Sequence, residues 1–184
     1  MINEYAMPSP DSINKRILLP LLASIVAITP LAIDLYLPAM LVIANDLQTT
    51  MPNVQISLSI YLAGYALGML FFGPIADELG RRLLAKVGLV LFGITSLALA
   101  FCDDIELFWT LRAIQAFTGA AATVVVPGII RHIYREHTAK GMSYVSMIMM
   151  VAPLIAPTLG SLIMGISTWQ VIFIALASYS FAIL

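Results

Sequence analysis

Six apolar stretches, each close to the length of a helix that crosses a bilayer, follow one another along this chain with only short connectors between them. A spanning helix needs about 20 mostly apolar residues. The stretches lie at about 17–41, 53–75, 83–102, 107–130, 142–165 and 169–184. The first is too long for the apolar region of a secretory leader and lacks a small-residue cleavage site, so it reads as a retained span. Composition closes off the soluble alternative. The 184 residues are 61% hydrophobic and 10% charged, whereas a soluble domain carries about 25% charge, and so few charges cannot coat a water-facing surface. The expected fold class is an all-α integral membrane protein. Residues 1–16 are expected to form a cytoplasmic tail and 17–184 a bundle of transmembrane helices in the lipid bilayer. The last run ends only about 16 residues after Trp169, short of a full crossing, so the expectation is a sixth helix that is cut off.

The connectors set the orientation. Of nine Lys and Arg residues, eight fall before the first span, between the second and third, or between the fourth and fifth: Lys15, Arg16, Arg81, Arg82, Lys86, Arg131, Arg135 and Lys140. The opposite connectors, 45–53 and 103–106, hold none. Basic residues gather on the cytoplasmic side, which predicts a cytoplasmic amino terminus in a bacterial inner membrane.

Several classes of function are excluded. A net charge of −1 leaves no basic stripe to neutralise phosphates, so no nucleic-acid partner is expected. One cysteine, Cys102, permits no internal disulfide and reads as a small buried apolar residue. No clustered His and Cys ligands suggest a metal, and no nucleophile and base or cofactor loop suggests an enzyme. No catalytic residues and no cofactor are therefore expected.

Two formal charges fall well inside the spans, Asp34 in the first and Arg112 in the fourth. A charge at the centre of a bilayer costs at least about 2.5–3.5 kcal/mol, so each must face protein or water. At 1.5 Å per residue Asp34 lies about 25 Å from the cytoplasmic end of its helix, and Arg112 about 9 Å from the outer end of its own. The similar depth permits an ion pair or a shared wet cavity, and makes Asp34 the first candidate for binding a transported proton. The competing reading is a structural Asp34 that caps a break near Pro38 or stays charged at the outer interface. Tyr36, Tyr61 and Tyr65 sit at comparable depths and are candidates to line a pocket for flat, partly cationic molecules, with Gln115 one turn from Arg112. For Tyr61 an interfacial aromatic belt is an equal alternative.

The connector after the second span reads Gly73-Pro74-Ile75-Ala76-Asp77-Glu78-Leu79-Gly80-Arg81-Arg82. Gly73 is expected to let helices approach, Asp77 to cap and pair with guanidinium groups, Gly80 to permit the turn, and Arg81 and Arg82 to supply cytoplasmic charge. The segment resembles the loop signature G-x-x-x-D-x-x-G-R-R/K of the major facilitator superfamily. Arg112-Ala113-Ile114-Gln115-Ala116 is similar to the superfamily's fourth-helix motif R-x-x-Q-G, with Ala116 where the family often has Gly. Asp34-Leu35-Tyr36-Leu37-Pro38-Ala39 and Ala152-Pro153-Leu154-Ile155-Ala156-Pro157-Thr158-Leu159-Gly160 resemble segments of the Bcr/CflA drug-resistance transporters. The latter occupies the place of the antiporter motif G-P-x-x-G-G, with Ala156 and Ser161 at two of its glycine positions.

The resemblance implies the amino-terminal half of a twelve-helix carrier whose carboxy-terminal half lies outside this sequence, with substrate bound between the two. It implies proton-coupled efflux of small lipophilic or cationic compounds, driven by the proton gradient, by a carrier that is monomeric when complete. Asp34 and Arg112 would couple protons. Tyr36, Tyr61, Tyr65 and Gln115 would line the cavity. The loop with Gly73, Asp77, Gly80, Arg81 and Arg82 would act as the conformational switch, and Pro153, Pro157 and Gly160 would shape or gate the fifth helix. A nutrient or metabolite symporter of the same fold, or an inactive fragment, are the alternatives.

Overall fold

The computed structural model describes residues 15–184, with side chains from Leu18 onward; residues 1–14 of the expected tail lie outside them. The described residues are helical nearly throughout and contain no strand. Helix α1 runs Lys15–Asp34, a 3-10 turn covers Leu37–Ala39, and α2 runs Met40–Asp46. Then come α3 (Met51–Glu78), α4 (Arg81–Ala100), α5 (Ile105–Thr123), α6 (Val126–Tyr134), α7 (Thr138–Ile166) and α8 (Gln170–Ile183). Four helical stretches among the described residues are long and apolar enough to cross a membrane: 18–46, 51–78, 81–100 and 105–166. The last folds back on itself at Arg135, whose φ is 43°, so that Ile130 and Tyr134 of α6 lie against Gly141 of α7. At 14 residues, α8, which covers the last apolar stretch, is shorter than these four.

Two spans expected as single helices are interrupted, each beside a proline. In the first, Pro38 has no amide hydrogen for the Asp34 carbonyl and its ring would collide with it; α1 stops at Asp34 and the chain resumes as α2 beyond the turn. In the fourth, the break falls at Val124–Val125, with Pro127 in the first turn of α6. By contrast α7 continues through both Pro153 and Pro157. The expected connector 73–82 is also mostly helix, since α3 reaches Glu78 and only Leu79 and Gly80 separate it from α4. Gly80 has φ 86°, a conformation that admits glycine readily and most side chains poorly.

The packing centres on α5, which lies against both α3 and α4 and contributes Ala116, Gly119, Ala120, Ala121 and Ala122 to the buried interior. These small side chains let backbones come close. Gly64 and Gly68 of α3 face the backbones of Ala113 and Phe117, and Gly88 of α4 faces Thr118 and Ala122. The opposite extreme is α7, where Met147, Met150, Leu154, Leu162 and Ile166 are exposed; such surface requires lipid or another apolar partner. At the end away from the basic connectors, Trp169 donates to Asp46 Oδ2 (2.6 Å) and Trp109 to the Asn53 carbonyl (2.8 Å). Asp104 caps α5 by accepting from the Leu107 amide at 2.9 Å. The Cys102 thiol, buried beside it, donates to the Asp104 carbonyl at 3.0 Å, and burial raises its pKa above the ordinary value.

Candidate functional site

The break after Asp34 creates the site. In an unbroken helix the Ala32 carbonyl would accept from the amide of Tyr36, but that bond is not made. Arg112 of α5 takes its place: Nη1 donates to Ala32 O at 3.0 Å and to Gln115 Oε1 at 2.9 Å. The carboxyl end of a helix carries partial negative charge, so the guanidinium caps a helix end that would otherwise be left open inside the bundle.

Three aromatic rings enclose the same guanidinium. Its Cζ lies 4.3 Å from the ring centroid of Tyr36, 4.4 Å from that of Tyr61 and 5.9 Å from that of Phe173. Arg112, Tyr36, Tyr61 and Phe173 are all fully buried. Cation–π attraction of about 2 kcal/mol or more per desolvated ring compensates part of the lost hydration. The enclosure is itself held. The Tyr36 hydroxyl is 3.2 Å from Ser57 Oγ, and Phe173 packs edge-on against Phe108 and Trp169. Within this shell Arg112 Nε and Nη2 make no hydrogen bond of ordinary geometry, and the buried Tyr61 hydroxyl interacts with the Thr29 side chain.

Two expectations from the sequence are corrected here. Of the ion pair and the shared wet cavity that similar depth permits, Asp34 and Arg112 do not form the ion pair; the one ion pair among the described residues joins Asp77 to Arg81. The guanidinium instead donates through Nη1 to the freed Ala32 carbonyl and to Gln115, and lies between the rings. Asp34, the last residue of α1, is half-buried, and its carboxylate makes no hydrogen bond or ion pair among the described residues. Secondly, Tyr36, Tyr61 and Gln115 do not present a pocket surface, because all three are fully buried against Arg112 or its partners. Tyr65 stands apart, half-buried, with its hydroxyl 2.9 Å from Thr123 Oγ1 at the break between α5 and α6.

At the basic end, Asp77 Oδ1 accepts from Arg81 Nη2 at 2.8 Å and from Nε at 3.3 Å, while Arg81 lies across Gly128 of α6. Arg82 is exposed. Gly73 is a third correction: no atom of another helix lies within 4 Å of where its side chain would be, so it mediates no close approach in this arrangement. Gly160 does. A methyl group there would overlap the Leu35 carbonyl oxygen and lie 2.9 Å from Pro38, so α7 seats the break of α1 directly on its backbone. Ala152 and Ala156, spaced by four, continue the same buried face, while Pro153 is exposed and Pro157 half-buried.

Residue-by-residue reading of the sequence missed Ala32, Ser57, Ser96 and Phe173. A backbone carbonyl leaves no sequence signal, and Phe173 is one aromatic in an apolar run. Ser57 was the most legible of them, one turn before Tyr61 in α3.

Comparison with known proteins adds to this geometry. The sequence model of the Major Facilitator Superfamily matches residues 22–184. The bicyclomycin resistance protein homolog of Haemophilus influenzae is 35% identical over 145 residues, which is 78% of this chain and 36% of that protein. The multidrug resistance protein MdtL of Citrobacter koseri is 36% identical over 161 residues, 87% of this chain and 41% of its own. The MFS-type transporter YdgK of Bacillus subtilis is 35% identical over 164 residues, again 87% and 41%. The chain thus spans well under half the length of the curated relatives it matches.

Proposed function

This chain belongs to the major facilitator superfamily, a family of multi-pass membrane transporters and not of enzymes, and on that premise we propose that it forms the amino-terminal half of a proton-coupled exporter. The cargo class is small lipophilic or cationic compounds, and the site of action is a bacterial inner membrane with the amino terminus in the cytoplasm. The names of the bicyclomycin-resistance and multidrug-resistance relatives support the cargo. The second half of the same carrier supplies the other wall of the cavity and the partner for alternating access.

The observation that carries the proton step is the contrast at the α1 break, where an unpartnered, half-buried carboxylate sits two residues from a ring that encloses a buried cation. A carboxylate whose surroundings alternate between apolar protein and water changes its proton affinity with conformation. Protonation of Asp34 from outside releases the cargo, and deprotonation toward the cytoplasm readies the carrier for the next load. Arg112 fixes the break in place, and Tyr65 is the half-buried tyrosine left to contact cargo. Asp77, Arg81 and Gly80 join the cytoplasmic ends of α3, α4 and α6, which favours the outward-open state while the contact holds.

The test uses the full-length reading frame in inverted membrane vesicles with an imposed pH gradient. Added lipophilic cations draw protons across in the wild type, and Asp34→Asn abolishes that exchange. Exchange retained in Asp34→Asn overturns the proton-site assignment, and coupling to a sugar or organic acid in place of the cations replaces the cargo class with that of a symporter.

A further inference from the structure

Ser96 is a fully buried polar residue of α4 whose hydroxyl makes two hydrogen bonds of different kinds. It donates to the carbonyl of Phe92 at 2.7 Å, a bond common for serine within helices. It also accepts from Gln115 Nε2 at 2.8 Å, which nothing within α4 requires. A hydroxyl has one proton. Because the Phe92 carbonyl accepts only, that proton is committed, and Ser96 Oγ is left as an acceptor.

The commitment decides the orientation of a second group. Gln115 carries a donor and an acceptor at the tip of one symmetric-looking amide. With Ser96 able only to accept, the NH2 end faces α4 and Oε1 faces Arg112 Nη1 at 2.9 Å. The reversed amide would put NH2 groups against a guanidinium, donor against donor. Arg112, Gln115, Ser96 and the Phe92 carbonyl therefore form a one-way chain, each group donating to the next, and such chains polarise in the strengthening direction. The chain joins α4 to α5, and the other acceptor of Arg112 Nη1, Ala32 O, joins it to α1 two residues before Asp34.

We propose that Ser96 is a positioning residue: it fixes the Gln115 amide so that Arg112 is held on the carbonyl end of α1, and through that helix end it sets the surroundings of Asp34. The functional consequence rests on the proton-coupling reading above; the positioning itself does not.

A double-mutant cycle separates positioning from packing. The variants are Ser96→Ala, Gln115→Met and the pair, followed by thermal unfolding of the chain in detergent micelles. Ser96→Ala lowers the unfolding midpoint by roughly 5 °C when Gln115 is present, through a buried amide donor left without a partner. In the Gln115→Met background the same change has less than half that effect. Equal losses in the two backgrounds overturn the proposal, since they identify Ser96 as filler between helices.

The second measurement is the pH profile of cation-driven proton exchange by the full-length carrier. Ser96→Ala moves the pH of half-maximal exchange by roughly half a unit or more; an unmoved profile in a carrier that depends on Asp34 overturns the positioning role. If exchange does not depend on Asp34, the proton-coupling reading fails, and the unfolding cycle then decides the Ser96 assignment by itself.

Discussion

Arg112 and Asp34 are the two charges carried deep in the spans, and the structure treats them in opposite ways. Arg112 is fully buried, wrapped by three rings and hydrogen-bonded to a helix end and an amide. Asp34 is half-buried, its carboxylate bonded to nothing among the described residues. They are neighbours through the chain, because the carbonyl that accepts from Arg112 lies two residues before Asp34, yet they do not pair. A fully buried charge stacked between rings and tied to a helix end serves as scaffold. A charge left free beside that scaffold is available to change its protonation.

The comparison breaks most sharply at Arg112. Arg112→Ala opens a void between Tyr36 and Tyr61 and strands Ala32 O and Gln115 Oε1, so a loss of about 3–5 kcal/mol in folding stability is expected. Steric trapping or thermal unfolding in micelles measures it. Arg112→Lys restores little of this, since a lysine ammonium lacks the flat guanidinium face that stacks between the rings. A loss under about 1 kcal/mol in Arg112→Ala would move Arg112 out of the scaffold class.

Two glycines sharpen the same contrast one layer out. Gly160 touches the α1 break and Gly73 touches nothing. Gly160→Ala drives a methyl into the Leu35 carbonyl, and backbone cannot move aside as a side-chain tip can. A destabilisation of about 1–3 kcal/mol is expected. Gly73→Ala, inside α3, has open space and stabilises by up to about 1 kcal/mol through helix propensity. Unfolding midpoints of the two variants, measured side by side, should therefore move in opposite directions.

How much of this was legible in the sequence follows from the range of each signal. Apolar run length is local and strong, so the all-α membrane fold and its family were readable from hydropathy and from the segments around Asp77 and Arg112. Pro38 marked the neighbourhood of a break, but whether a proline stops a helix depends on what can accept the freed carbonyls. Pro153 and Pro157 sit within an unbroken helix in the same chain, so residue type alone did not decide. Similar depth permits either an ion pair of Asp34 with Arg112 or a shared wet cavity, because depth fixes one coordinate of three. The structure seats the α1 break on Gly160 and presents the Ala32 carbonyl, not a carboxylate, to Arg112. Tyr36 and Tyr61 were recognised as partners for a cation; that the cation is the protein's own Arg112 required the fold.

The smallest expected effect is the one that defines the other side of the comparison. Asp34→Asn preserves shape and removes charge from a side chain that holds no partner, so folding stability should stay within about 0.5 kcal/mol of the wild type. Transport is expected to be lost in the same variant, and that separation is the signature of a group used for chemistry. The two readouts must be taken on one preparation, because a carrier lost through misfolding would mimic a carrier lost through uncoupling. If Asp34→Asn instead unfolds the chain as Arg112→Ala does, the carboxylate is holding the carbonyl end of α1 in place. Asp34 then belongs with the scaffold, as the cap of a proline break, and the proton site has to be sought among groups that the second half of the carrier brings to the cavity.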